Sequence, residues 1–162
     1  MILDKLLQFD PSTALASTIV GAGVASTNII DLLNARDMGI GDGMNLEAVF
    51  TIGTAFAATG GAASLTIAIQ GAPDSSGSPG TYKTLVQSGL IAKASLTAAA
   101  VIRVPLASQA GNLELTSLPR FLRCFYTATT NDFTSGTFEC DLVVNAQANN
   151  PPTYPSGFTV AN

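Results

Sequence analysis

A chain of 162 residues is the length of one domain and can bury a sizeable core. Its residues are 47% hydrophobic and only 11% charged, against about 25% charged in an average globular chain. The net charge of −4 comes with just seven scattered cations and no histidine. No phosphate-tracking stripe exists, so direct nucleic-acid binding is not expected. The commonest general base, metal ligand and pH switch is missing as well. So little charge favours a surface covered by partners over one exposed to water all round.

In chain order, Met1–Asp10 places Ile2, Leu3, Leu6 and Leu7 at helical spacing. One or two amphipathic turns are predicted there, too short to stand without docking on something. Charges interrupt this segment early, so it is no secretory signal, and synthesis and assembly in the cytosol are expected. The apolar runs are far too short to span a bilayer, and no membrane partner is expected. Ser12–Val20 holds a candidate short strand at Thr18–Val20, broken by Gly21-Ala22-Gly23. That triplet lacks the third glycine and the following helix of a dinucleotide fingerprint. Val24–Leu32 reads as a strand weighted by Ile29 and Ile30, followed by a polar loop at Arg36–Gly43. Asp37, Asp42 and Asn45 could offer oxygen ligands to a cation, but the spacing is not that of an EF-hand, and aspartate-stabilised turns are far commoner.

Two strong strand patterns follow. Met44, Leu46, Ala48, Phe50 and Ile52 alternate with polar or smaller neighbours, and Leu65, Ile67 and Ile69 do the same within Ser64–Gln70. Period two implies a pleated strand with one buried face. The glycines of Gly53–Ala63 suit a hairpin-like connection. Gly71–Thr81 is a Gly/Pro/Ser loop and Tyr82–Ser88 a strand; the alanines of Leu90–Ala100 permit a helix, but its length and neighbours favour a strand edge and a loop. Val101–Leu106 is a strand whose Pro105 argues for an edge or a strand end. Pro119–Thr127 is bulky on both faces, as a central strand is, with Arg120 and Arg123 solvated or paired with Glu139 or Asp141. Thr129–Gly136 reads as a hairpin loop, and Thr137–Asn145 sets Phe138, Cys140, Leu142 and Val144 on one face. Short strands at regular spacing between turn residues predict an all-β fold, an antiparallel β-sandwich or jelly roll of seven to nine strands. Residues 1–145 form the sandwich domain with its N-terminal docking segment, and 146–162 a Pro/Asn-rich C-terminal arm. In that arm Tyr154 and Phe158 could plug a neighbouring subunit.

Cys124 and Cys140 fall on the last two predicted strands. A hairpin centred on Asp132 would bring them together as buried, reduced thiols, with a disulfide possible on extracellular exposure. Two thiols without histidine are too few for a metal site. Glu139 and Asp141 share a strand face and could form an acid/base pair, but a solvated face is the simpler reading. No Ser/His/Asp triad and no Ser-x-x-Lys signature can be assembled. No enzyme activity, cofactor or small-molecule substrate is therefore expected.

Several stretches carry a resemblance. Ala25–Leu32, Ala35–Asp42, Thr54–Gly60, the Ala63–Gln70 strand and the opening Met1-Ile2-Leu3-Asp4 resemble the capsid cement (decoration) proteins of tailed bacteriophages. A looser similarity runs from Pro119–Arg123 to Asn145. The resemblance implies a jelly-roll-like sandwich on the outer surface of an icosahedral head. There it would bridge neighbouring major capsid proteins and resist internal DNA pressure. The expected partners are the major capsid protein and the chain itself, as homodimer or homotrimer. Contacts are expected at Ile2, Leu3, Leu6, Arg36, Asp37, Asp42, Tyr154 and Phe158. The alternatives are a carbohydrate- or host-surface-binding fibre or adhesin module, and a head-completion or tail protein. Eight Phe, three Tyr and no Trp count against the first, and copy number would separate the second.

Overall fold

The computed structural model describes residues 5–13, 15–32, 46–106 and 119–144. They form two facing antiparallel sheets, an all-β sandwich. The four-stranded sheet runs in the order β1 (Gln8–Thr13), β12 (Phe133–Val144), β4 (Leu46–Ala58), β10 (Val101–Leu106). The six-stranded sheet runs β2 (Val24–Ala25), β11 (Phe121–Thr129), β5 (Ser64–Ala72), β8 (Lys83–Gln87). In it β3 (Ile30–Asp31) also pairs with β11, and β9 (Ile91–Ala92) with β5. A small ribbon of β6 (Asp74–Ser75) and β7 (Ser78–Pro79) stands apart. Its turn residues Ser76 and Gly77 both have positive φ, the geometry that lets a two-residue turn match strand twist.

The alternating patterns dictate which faces meet. Phe138 opposes Ile52, Cys140 opposes Phe50 and Leu142 opposes Ala48, so the apolar residues of β12 and β4 share the inner face. On the other sheet Leu122, Cys124, Tyr126 and Ala128 line up with the inward set Leu65, Ile67 and Ile69 of β5. Between the sheets Phe50 stacks on Phe138 with centroids 4.4 Å apart, and Tyr126 meets Phe138 edge-on at 5.1 Å. Phe56 and Phe133 extend this aromatic spine at 5.2 Å. Such pairs add about 0.5–1.5 kcal/mol each beyond the apolar area they bury. Gly136 sits on β12 with φ of 136°, and a Cβ there would lie 2.4 Å from the Phe56 ring. A side chain at that position is excluded twice over, by backbone and by space.

Several expectations are corrected. β4 and β5 do not form a hairpin, since each belongs to a different sheet, and β4 runs on to Ala58 before the chain crosses over. The period-two pattern marks both strands but carries no information on which partner each takes. β11 and β12 likewise lie in opposite sheets. Thr18–Val20 is no strand; Leu15–Thr18 is a 3-10 turn. Val24–Leu32 divides into two two-residue strands, with Ile29 exposed and Ile30 buried. Of the segment expected to hold one or two amphipathic turns, residues 5–7 are a 3-10 turn, residues 8–10 already belong to β1, and residues 1–4 lie outside the described residues. Twelve strands stand among the described residues instead of seven to nine, the surplus being two-residue pairings too short to leave a periodic signal. Pro105 does mark an edge, because β10 closes its sheet. Replacing Phe138 by alanine should lower unfolding free energy by about 3–5 kcal/mol, read as a reduced urea midpoint with an unchanged slope.

Candidate functional site

Four ionisable side chains, Asp10, Tyr126, Cys124 and Cys140, lie together inside the core. Gln8 opposes Asp141 and Asp10 opposes Cys140, a register shift of one residue within β1. That shift turns Asp10 from the outer face, where Gln8 sits, to the inner face. There it is fully buried. The Tyr126 hydroxyl donates to Asp10 Oδ2 at 2.5 Å, and the Thr27 amide donates to Asp10 Oδ1 at 2.7 Å. Beside them the Cys124 and Cys140 sulfurs approach to 3.5 Å as free thiols. The expected proximity of the thiols holds, but they meet across the core rather than across a hairpin. Ser26 completes the group: its hydroxyl donates to the Asn28 carbonyl and accepts from the Cys124 amide at 3.1 Å.

Burial pushes the Asp10 carboxyl above its ordinary range, against the hydrogen bonds from Tyr126 and Thr27 that pull it down. Burial also raises the Tyr126 phenol well above its usual value, reinforced by the neighbouring thiols and Asp10. The Cys124 thiol is likewise driven well up by burial, then by its contact with Cys140. All four side chains are fully enclosed. A thiol or phenol held neutral and sealed from solvent is a poor nucleophile, so what this group does is join the sheets. The signal that could have found it is the single aspartate in the Gln8–Thr13 strand, paired with the one tyrosine on the inner face of β11.

The outer faces are also organised differently from expectation. Arg120 and Arg123 cannot reach Glu139 or Asp141, which lie on the other sheet. Arg120 instead grips Asp31 through two bonds of 2.9 Å and meets Asp74 at 3.0 Å. Arg123 donates to Gln70 and lies 3.7 Å over the Tyr82 ring. Asp141 is not on a solvated face either. It is buried, and its Oδ1 finds no hydrogen-bond partner among the described residues. Burial and the adjacent Glu139 raise its carboxyl to about 6, while Gln8 donates to Glu139 Oε1 at 2.9 Å.

Of the residues expected to contact partners, Leu6 alone is described, and it is 61% exposed. Ile2, Leu3, Arg36, Asp37, Asp42, Tyr154 and Phe158 lie outside the described residues, as does the 146–162 arm. Leu6 stands just before β1. Ile29, also exposed, belongs to the segment stitched to β1 by Asn28, whose amide donates to the Phe9 carbonyl at 2.9 Å. Both therefore sit along the edge where β1 faces β2 and β3. The opposite edge, where β10 faces β8 and β9, carries exposed Val101 and Leu90. Sequence reading singled out neither Leu90 nor Val101, because an isolated apolar residue looks the same whether inward or outward. Among the described residues no group of three His, Cys, Asp or Glu side chains is placed to hold a metal ion, and no helix is long and apolar enough to cross a membrane.

These features define a two-sheet antiparallel β-sandwich with a sealed polar centre and apolar residues at both open edges. A family model described as Bbp16 matches residues 14–142, and the chain belongs to the Bbp16 family. That membership suggests a phage-related family. No curated protein matches the chain.

The raised Asp141 carboxyl sets a pH dependence. A group whose folded-state value lies above its unfolded one favours the folded chain in its protonated form. That contribution is complete below the ordinary value near 3.8 and is lost as the pH rises through about 6. Asp141→Asn removes the charge that must otherwise be held there. It should gain stability over the parent at neutral pH, on the order of 1 kcal/mol after allowance for solvent screening. The gain should vanish near pH ~4. Urea midpoints of both proteins across that range would measure it; a constant difference would remove Asp141 as the cause.

Proposed function

We propose that this chain decorates and cements the outer surface of an icosahedral phage head by bridging major capsid protein subunits. The observation that carries the reading is the pair of apolar edges, Leu6 with Ile29 on one side and Leu90 with Val101 on the other. A scaffold with a contact region on each of two opposite edges suits a bridge between neighbours. Membership of a phage-related family supports the reading, as does a surface with few charges to desolvate when it is covered. Many modest contacts repeated over a closed shell add up without any single strong one. In this reading the outer shell is the site of action, the chain is made in the host cytoplasm, and self-association as dimer or trimer accompanies capsid binding. The N-terminal segment, the 34–43 loop and the C-terminal arm supply further contacts.

The test is a comparison of heads assembled with and without the protein. Its copy number on purified particles should be comparable to that of the major capsid protein, and heads lacking it should break at a lower temperature or a milder osmotic shock. Charging one edge with Leu6→Glu and Ile29→Glu should leave the thermal midpoint of the isolated protein nearly unchanged, because both side chains are exposed. Binding to heads should fall at least tenfold, since each buried side chain of this size is worth about 1.5–3 kcal/mol. Full retention of the double variant, with unchanged head stability, would overturn the edge as a contact surface.

A further inference from the structure

We propose that Cys124 and Cys140 form a latent cross-sheet latch, which a low-molecular-weight disulfide converts into an intrachain disulfide once the sandwich has opened. Cys124 belongs to β11 of the six-stranded sheet and Cys140 to β12 of the four-stranded sheet. Their sulfurs nevertheless lie 3.5 Å apart. No ladder of backbone hydrogen bonds joins β11 to β12. A bond between these two sulfurs would therefore tie together layers otherwise held by packing, by the Tyr126–Asp10 contact and by the Thr27 and Asn28 amides on β1. The inference stands on this core geometry alone and is independent of any role on a phage head.

The chemistry balances as two successive exchanges. The Cys124 thiol loses its proton, and the thiolate attacks one sulfur of the small disulfide. A mixed disulfide forms, and the first small thiolate leaves and takes up a proton. The Cys140 thiolate then attacks the Cys124 sulfur, forming the protein disulfide and expelling the second small thiolate, which is protonated in turn. The two protein thiols are oxidised by two electrons, the small disulfide is reduced to two thiols, and both protons end on the released molecules.

Access decides when this happens. Both cysteines are fully buried beneath Tyr126 and the aromatic spine, so no small disulfide can reach either sulfur while the sheets are closed. Reaction requires the core to open, and closure then aligns the second sulfur for attack. The pair is thus kept reduced by folding itself and becomes bonded only in molecules that have been forced apart and have closed again. Each such molecule would then resist a second opening, because the bond removes conformations from the open state.

The test uses the reduced full-length chain and glutathione disulfide. In native buffer the two thiols should persist. At the urea midpoint, followed by dilution to refold, the product should be a monomer lacking two hydrogens. Cleavage between the cysteines, at Asp132, should yield two fragments that separate only after reduction. The thermal midpoint of this product should exceed that of the reduced chain by roughly 5–15 °C. Cys140→Ala should end as a glutathione adduct with no such rise, and the digest of the parent chain carries the test even if that variant folds poorly. Free thiols or glutathione adducts alone after refolding, a bond between two chains, or a bonded monomer without increased thermal midpoint would each overturn the latch. Equally rapid oxidation in native buffer would overturn its dependence on opening.

Discussion

A phenol hydroxyl placed between two apolar sheets has to find an acceptor, and the rest of this sandwich is arranged to supply one. Tyr126 is fully buried on the six-stranded sheet, and its partner Asp10 comes from the edge of the other. Leaving either group unpaired would cost about 1–3 kcal/mol or more, a substantial part of a domain's net stability. The register shift in β1 is what brings the carboxylate inward. The Thr27 amide and the Ser26 hydroxyl then fix the chain that runs from β2 to β3 against both strands. One polar contact thereby sets the position of an edge strand, the path of a loop and the alignment of two sheets. Apolar packing alone would tolerate several alignments of such surfaces.

The same economy governs the outside of the molecule. Arg120 is engaged by Asp31 of its own sheet and Asp74 of the separate ribbon, and Arg123 by Gln70 and the Tyr82 ring. These contacts hold β3, the β6–β7 ribbon and the approach to β8 in place. Both edge strands of the four-stranded sheet contain a proline, Pro11 in β1 and Pro105 in β10. Proline lacks the amide hydrogen needed to extend a sheet, so these edges resist uncontrolled strand addition. Leu6, Ile29, Leu90 and Val101 are the large apolar side chains exposed along these two sides of the sandwich.

Much of the fold was legible in the sequence because buried strands impose a period of two that survives any tertiary arrangement. Leu46–Ile52, Leu65–Ile69 and Phe138–Leu142 each announced an inner face, and each has it. Strand pairing was not legible. The glycines after Ile52 suggested a hairpin, whereas the chain crosses from one sheet to the other after Ala58. A local pattern is blind to that choice, which depends on which distant faces fit. The polar centre was missed for a related reason: Asp10 belongs to a strand whose periodicity is broken by a register shift, so its inward direction cannot be read from its neighbours. The proximity of Cys124 and Cys140 was anticipated for the wrong reason, since residues equidistant from a turn approach one another whether the strands pair side by side or face across a core. The exposed edges were not legible: the helical spacing around Leu6 said only that the first residues dock on something, on this domain or on a neighbour.

The pairing of β1 with β12 has a kinetic consequence. Gln8 lies opposite Asp141 and Thr13 opposite Phe138, so the first of the described strands closes against the last of them. During synthesis β1 emerges early and has no partner until nearly the whole described chain has followed it. The four-stranded sheet therefore cannot be completed on the ribosome while β12 is still in the exit tunnel. The closing step spans a large loop, which slows folding in proportion to the entropy that must be surrendered before any contact rewards it. The pairing of β1 with β12 thus makes completion of the four-stranded sheet a late, long-range step.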